Sequence, residues 1–354
     1  MAQLSFDAVS MQFDDTRVLR DVSLDIEDGE LMALLGPSGC GKTTMLRLAA
    51  GFERPTAGSV LKGGVVLSDA NVFVAPEHRN MGIVFQSYAL WPNMSVAENV
   101  SYPLKLRRLP EDQVDGILSE ALEAVSLEDF ANASPTTLSG GQRQRVALAR
   151  CLVMQPDAVL LDEPLANLDA HLREVMQATF LDFHKRSGAT MVYVTHDQAE
   201  AMAMADRIAV MFDGQLAQVA TPQILYNCPQ NKQVARFIGQ SSILSGNLEP
   251  ASESGIRDVV IHGQVFPLRQ SDFVSRLGDA VPVHLCIRPE HVHLSQEVGL
   301  TGRVTASVYL GERYRIHMVM SDQTDVVAYS AIPVQPGDLV RFTISDGWIL
   351  PDDV

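Results

Sequence analysis

The sequence predicts a mostly parallel α/β domain followed by a small all-β domain, and three observations carry that prediction. Short apolar runs at 31–35, 157–161 and 190–194 alternate with helically periodic segments, the pattern of strands buried in a parallel sheet. A glycine-rich loop at 36–43 joins the first run to a helical segment. Beyond about residue 236 the helical period fades, and short alternating segments with turn signals between them take over, as in a small barrel or sandwich. At about 150 residues per domain, 354 residues also suggest two. The expected domains are 1–235 and 236–354.

The elements follow in order. LSFDAVSMQF and VLRDVSLDIEDGE alternate apolar and polar residues and read as antiparallel strands, with a turn at Asp28–Gly29. Leu31–Leu35 is a buried strand and Lys42–Ala50 a helix. Segments 110–130 and 146–154 are helical, 157–161 is a strand, and 172–185 is an amphipathic helix. A strand at 190–194, a helix at 198–205 and a strand at 208–212 close the α/β part, ending in a turn at Asp213–Gly214. In the C-terminal part, VVIHGQVFPL, VPVHLCIRP, GRVTASVYLG, RIHMVM, DVVAYSAI and LVRFTI read as strands. Met191, Met202, Met204 and Met211 have apolar neighbours and are expected in the core rather than on a metal.

Composition narrows the function. The net charge is −16, and the densest basic cluster is only Lys105, Arg107 and Arg108. A nucleic-acid partner is therefore not expected. Cys40, Cys151, Cys228 and Cys286 lie far apart with no CxxC pair, which argues against a zinc site and against a disulfide framework, and fits a reduced compartment. The N-terminus lacks the pattern of a secretory signal. No apolar run approaches the ~18 residues that span a bilayer, so another chain is expected to make any crossing.

The chemistry-bearing residues begin at the glycine-rich loop. Gly36, Pro37, Ser38, Gly39, Cys40, Gly41, Lys42 and Thr43 fit G-x-x-x-x-G-K-[ST] between a strand and a helix, and Thr44 follows. Glycines let backbone N–H groups turn toward phosphate oxygens, and the helix N-terminus adds its positive end. Lys42 can reach the β- and γ-phosphates of a nucleotide, and the Thr43 hydroxyl can ligate Mg²⁺. Asp162 and Glu163 end an apolar strand. The first is placed to hold Mg²⁺ through water, the second to polarise an attacking water.

A phosphate loop alone leaves kinases, GTPases and helicases open. Leu138-Ser139-Gly140-Gly141-Gln142, followed by RQRVALAR, decides among them: here the chain resembles the ABC ATPase family, whose signature is LSGGQ. The resemblance implies an antiparallel β subdomain and a helical subdomain around the α/β core. It also implies that the signature turn faces the γ-phosphate held by a second subunit, hence a homodimer enclosing two ATP molecules. Four further segments match in family order. Gln86 resembles the Q-loop residue that touches Mg²⁺ and couples to a permease. Leu168–Asp169 resembles the D-loop at the dimer seam, His196 the switch histidine, and Phe13 the aromatic that stacks on adenine, usually tyrosine or tryptophan. Asn93 stands where a histidine is common.

Past residue 236, Ala-Arg-Phe-Ile-Gly, Ile-Arg-Pro-Glu-His-Val, Tyr-Leu-Gly-Glu and Pro-Gly-Asp-Leu-Val resemble the OB-like regulatory domain of a group of importers. The implied partners are two permease subunits and, indirectly, an extracytoplasmic solute-binding protein. The implied location is peripheral, on the cytoplasmic face of the membrane. Phe-Gln-Ser-Tyr-Ala-Leu-Trp-Pro most resembles the ferric iron and related types, and the resemblance implies ferric iron, polyamine or phosphonate uptake rather than sugar or glycerol phosphate. Ser241–Ser242 replaces the asparagine usual after Phe-Ile-Gly. A repair or translation ATPase, a small-molecule kinase and an exporter are the competing readings.

Overall fold

The computed structural model describes residues 3–85, 87–166, 168–250, 255–271, 274, 278 and 281–351, with only the backbone of 152. The chain divides into two compact units, Met1–Pro222 and Gln223–Val354. That division falls ahead of residue 236 because two short helices, α7 (Pro222–Asn227) and α8 (Lys232–Phe237), belong mainly to the second unit. There Ala235 is buried with Cys286 and Leu350.

In the first unit, β1 (Leu4–Phe13) and β2 (Thr16–Ile26) pair antiparallel. With β4 (Ala57–Lys62) and β5 (Val65–Ser68) they make a sheet of order β2-β1-β4-β5. The second sheet runs β10-β9-β3-β8-β7-β6. Its parallel members are β3 (Leu31–Leu35), β6 (Met81–Val84), β7 (Ala158–Asp162), β8 (Thr190–Thr195) and β9 (Arg207–Phe212). Only β10 (Gln215–Ala220) runs antiparallel, paired with β9 through the expected Asp213–Gly214 turn. Every residue of β3 and β8 is buried, which is why these strands are unbroken apolar or β-branched runs.

The helices are α1 (Lys42–Ala50), α2 (Val96–Leu106), α3 (Glu111–Ala124), α4 (Gly140–Leu152), α5 (Ala170–Ser187) and α6 (Gln198–Met204). α2 starts on a capping box in which Ser95 and Glu98 bond each other's backbone N–H groups. The fully buried Asn99 then holds the preceding turn: its side-chain amide donates to Trp91 O, Met94 O and Ser95 O at 3.1, 3.3 and 3.0 Å. Met191, Met204 and Met211 are buried and Met202 partly so, as packing residues should be.

The second unit holds a closed barrel, β11-β12-β13-β20-β14. Its strands are β11 (Ser242–Leu248), β12 (Ile256–Ile261), β13 (Gln264–Arg269), β14 (Pro282–Ile287) and β20 (Trp348–Ile349). A five-stranded sheet accompanies it, ordered β15-β19-β16-β17-β18. It comprises β15 (Val292–Ser295), β16 (Leu300–Tyr309), β17 (Tyr314–Met320), β18 (Asp325–Ser330) and β19 (Leu339–Ile344). Alternate residues of β17, namely Ile316, Met318 and Met320, enter a core shared with the barrel's Leu244, Phe266 and Leu285.

Candidate active site

The reactive side chains of the first unit sit at the C-terminal ends of β3, β7 and β8, where open α/β sheets bind ligands. The loop after β3 is anchored to the protein by its backbone. Gly214 N–H donates to Cys40 O at 3.2 Å, and Arg20 N–H donates to Gly214 O at 2.9 Å. A Cβ on Gly36 would stand 2.3 Å from Met211 O, and Gly41 adopts φ +106° against the Leu19 side chain. Both positions therefore demand glycine. Pro37, Ser38 and Gly39 are exposed, Cys40 is buried, and Thr43 and Thr44 are half-buried at the start of α1. Lys42 is 5% exposed. Its ammonium donates to Gly36 O and Pro37 O at 2.8 and 2.9 Å, which bends it back over the loop. Burial pushes the Cys40 thiol up in pKa, against the pull of Lys42.

Thr43 Oγ1 donates to Asp162 Oδ1 at 3.1 Å. Burial raises the pKa of the Asp162 carboxyl; the Thr43 bond opposes this and the neighbouring Glu163 adds to it. Two hard oxygens, one of them on an under-compensated carboxylate, suit Mg²⁺, which takes few protein ligands and completes its shell with phosphates and water. No group of three or more His, Cys, Asp or Glu among the described residues is arranged to hold a metal.

Glu163 occupies φ +44°, a left-handed position rare for a residue other than glycine, asparagine or aspartate. Its N–H donates to Val194 O at 3.0 Å, and that bond keeps the carboxylate beyond the end of β7. Glu163 Oε1 lies 3.2 Å from Nδ1 of His196, which is 56% exposed. The structure thus pairs Thr43 with Asp162 and Glu163 with His196. Phe13 closes β1 opposite Thr16 with its ring 39% exposed. Leu19, two registers along the same hairpin, would touch a Cβ on Gly41.

The signature turn caps α4. Ser139 Oγ accepts from Gln142 N–H at 3.3 Å, and Gln142 Oε1 accepts from Ser139 N–H at 2.9 Å, a reciprocal capping box. Gly140 lies near Leu168 and Tyr88, and a Cβ on Gly141 would strike Leu172 at 2.5 Å. These neighbours belong to the α5 approach and the segment after β6, not to the phosphate loop. Asp169 is exposed and caps α5 by accepting from Leu172 N–H at 2.9 Å. Gln86 lies outside the described residues. Just beyond it, Arg150 of α4 donates to Tyr88 O and Ala89 O at 2.9 and 2.8 Å.

Residues 19–166 match the family described as ABC transporter, and residues 285–350 match the TOBE domain. A protein from Nitratidesulfovibrio vulgaris, named spermidine/putrescine import ATP-binding protein PotA, is 43% identical over 97% of this chain and 96% of its own. A protein of the same name from Lawsonia intracellularis is 40% identical over 98% and 96%. The chain belongs to the ATP-binding subunits of ABC transporters. A solved relative of this ABC ATPase is cbiO1 from Clostridium perfringens, part of the ABC transporter complex cbiONQ. It superposes with a TM-score of 0.60 at 28% identity, covering 66% of this chain and 93% of that one. The protein is accordingly an ATPase coupled to transport, of importer type, with an OB-like second unit, and it works with membrane permease subunits. No helix among its described residues is long and apolar enough to cross a membrane.

Sequence reasoning passed over Arg173 and Glu200, which surround the Glu163–His196 pair. Glu200 gave a signal: it is the one carboxylate in the otherwise apolar run Ala-Glu-Ala-Met-Ala-Met after Asp197. Arg79, also missed, is fully buried and donates to Leu48 O and Ala49 O at the end of α1.

Proposed function

We propose that this ABC ATPase powers uptake of polyamines of the spermidine/putrescine class. One observation carries the reading: the relatives so named align from end to end, through both units. Of the classes expected from sequence, ferric iron, polyamine or phosphonate, the names of these relatives support polyamine. In this reading the protein acts as a homodimer on the cytoplasmic face of the membrane, beneath two permease subunits fed by a solute-binding protein.

Lys42 and the loop N–H groups bind the ATP phosphates, with Phe13 against the base. Thr43 and Asp162, with Gln86, would hold Mg²⁺. When bound, Mg²⁺ supplies charge that offsets the phosphate oxygens during transfer. Glu163 accepts the proton of the attacking water, and His196 steadies Glu163 and reaches the γ-phosphate. Ser139, Gly140, Gly141 and Gln142 present a helix N-terminus to the nucleotide of the partner subunit, with Asp169 at the seam. The turn's own neighbours in this chain, Leu172 and Tyr88, support that outward assignment.

The test is uptake of labelled spermidine and putrescine in a strain lacking the gene. Uptake should fall, wild-type protein should restore it, and Glu163→Gln should not. Unchanged polyamine uptake with loss of ferric iron or phosphonate uptake would replace the solute and leave the ATPase reading standing.

A further inference from the structure

Glu200 is a buried carboxylate that the proposed hydrolysis does not use. It is 4% exposed. Burial of an ionised carboxylate is costly unless partners compensate it, so its partners reveal what it is for. Oε2 accepts from Tyr193 Oη and from Thr195 Oγ1, each at 2.8 Å. Oε1 lies 3.5 Å from Nε of Arg173. Arg173 also stands 3.7 Å from Asp197 Oδ2 and donates from Nη2 to Leu168 O at 3.2 Å.

These contacts surround His196 in sequence and in space. Thr195 Oγ1 donates a hydrogen bond to Glu200 and accepts one from Asp197 N–H at 2.9 Å. Asp197 Oδ1 in turn accepts from Ala199 N–H and Glu200 N–H at 2.8 and 3.3 Å. The residues on either side of the histidine are thus tied to one buried carboxylate. Glu163, His196, Arg173 and Glu200 line a single cavity of about 40 Å³. At its far edge Arg173 holds the carbonyl of Leu168, next to Asp169.

We propose that Arg173 and Glu200 are positioning residues for ATP hydrolysis: they clamp segment 195–197, and with it His196, to the backbone that leads into α5. A displacement of Leu168 is then felt at the Glu163–His196 pair. The ion pair reaches both segments; one that merely filled the core would need no bond to Leu168 O. The inference rests on the roles given above to Glu163 and His196. It adds the parts that set their geometry and a route by which events at Asp169 reach them.

The test measures phosphate release by the full-length protein carrying Glu200→Gln, His196→Ala, or both. Misplacing a catalytic group can lower turnover by about 10- to 100-fold, so each single variant should lose at least about ten-fold in kcat. KM for ATP should stay within about two-fold of wild type, because the phosphate loop is untouched. If Glu200 acts through His196, the double variant is no slower than His196→Ala alone. Multiplied losses, or a KM that rises in step with the fall in kcat, would overturn the proposal and leave the His196 assignment intact. Full activity in His196→Ala alone would remove both. Should Glu200→Gln not fold, Thr195→Val tests the same link at nearly constant volume: it should lose kcat with KM kept, and Thr195→Ser should restore it. Equal activity of Thr195→Val and wild type would sink the clamp.

Discussion

Two groups of polar side chains, one in each unit, are held in different ways. In the first, Thr43 meets Asp162, Glu163 meets His196, and Glu200 meets Tyr193, Thr195 and Arg173, all at the ends of parallel strands. In the second, Arg288 is 3% exposed, and its guanidinium is taken up by the backbone carbonyls of Tyr226, Ala235 and Ile238 and by the ring of Tyr226 at 4.0 Å. A charge saturated by backbone carbonyls pins loops together and has nothing left to offer a substrate. Side chains that converge on one another keep hydrogen-bonding capacity that a ligand can use. The same contrast holds inside the first unit. Arg79 bonds Leu48 O, Ala49 O and Val74 O, and burial pulls its guanidinium down to about 10. It is of the second unit's type, a scaffold charge at the C-terminal end of α1, where a cation also meets the negative end of the helix.

Substitutions should separate the two types, and the largest effect is expected at Glu163. Glu163→Gln keeps shape and packing but cannot take a proton from water. kcat should fall by about 10²- to 10⁴-fold, the usual contribution of a general base, while ATP remains bound. Steady-state phosphate release with a nucleotide-binding assay reads both. Near-normal turnover would move Glu163 to the scaffold side of the comparison.

Arg288→Met should do the reverse. It removes the side-chain donor from the carbonyls of Tyr226 in α7 and Ile238 at the end of α8, each worth about 1–3 kcal/mol when buried without a donor, so a stability loss of about 2–5 kcal/mol is expected. Chemical denaturation followed by Trp348 fluorescence should show it, with kcat below the unfolding transition within about two-fold of wild type. Arg79→Met should resemble Arg288→Met more than Glu163→Gln despite lying in the catalytic unit, with about 1–3 kcal/mol lost and KM and kcat little changed. A selective loss of kcat there would break the division drawn between backbone-saturated and converging charges.

The two units also differed in how far their sequences could be read. Strands β3, β7 and β8 were legible because full burial forces unbroken apolar runs. The phosphate loop was legible because Gly36 and Gly41 have no alternative residue. Helix α2 was missed: Pro103 lies inside it, and the capping box that starts it depends on a turn organised by Asn99 from further along the chain. The two compact units divide ahead of residue 236 for a related reason. α7 and α8 look helical like the first unit, but their apolar residues fit the second, and a local period does not say which core a helix faces. In the barrel and the sheet, alternation showed the strands but not their partition into two groups of five, which rests on pairings such as β13 with β20 that join distant segments. Glu200 left a signal in its apolar run, but its pairing with Arg173 escaped because a charge pair on two helices leaves no spacing pattern.

The smallest effect is expected at the nucleotide base, and it tests how far the converging type extends beyond the phosphates. Phe13 ends β1 with its ring open to solvent, on a hairpin whose Leu19 packs beside Gly41. Aromatic stacking is worth about 0.5–1.5 kcal/mol beyond burial, so Phe13→Ala should raise KM for ATP by up to about ten-fold with kcat nearly constant. A phenyl ring offers stacking but no polar handle, so Phe13→Tyr should change KM by less than about two-fold. GTP should lose less than ATP from the alanine variant only if the base is read by something other than stacking. Measuring KM for both nucleotides on the wild type and the two variants distinguishes a stacking platform from a bystander: an unchanged KM in Phe13→Ala would make the ring part of the hairpin's surface and confine the site to the phosphate side.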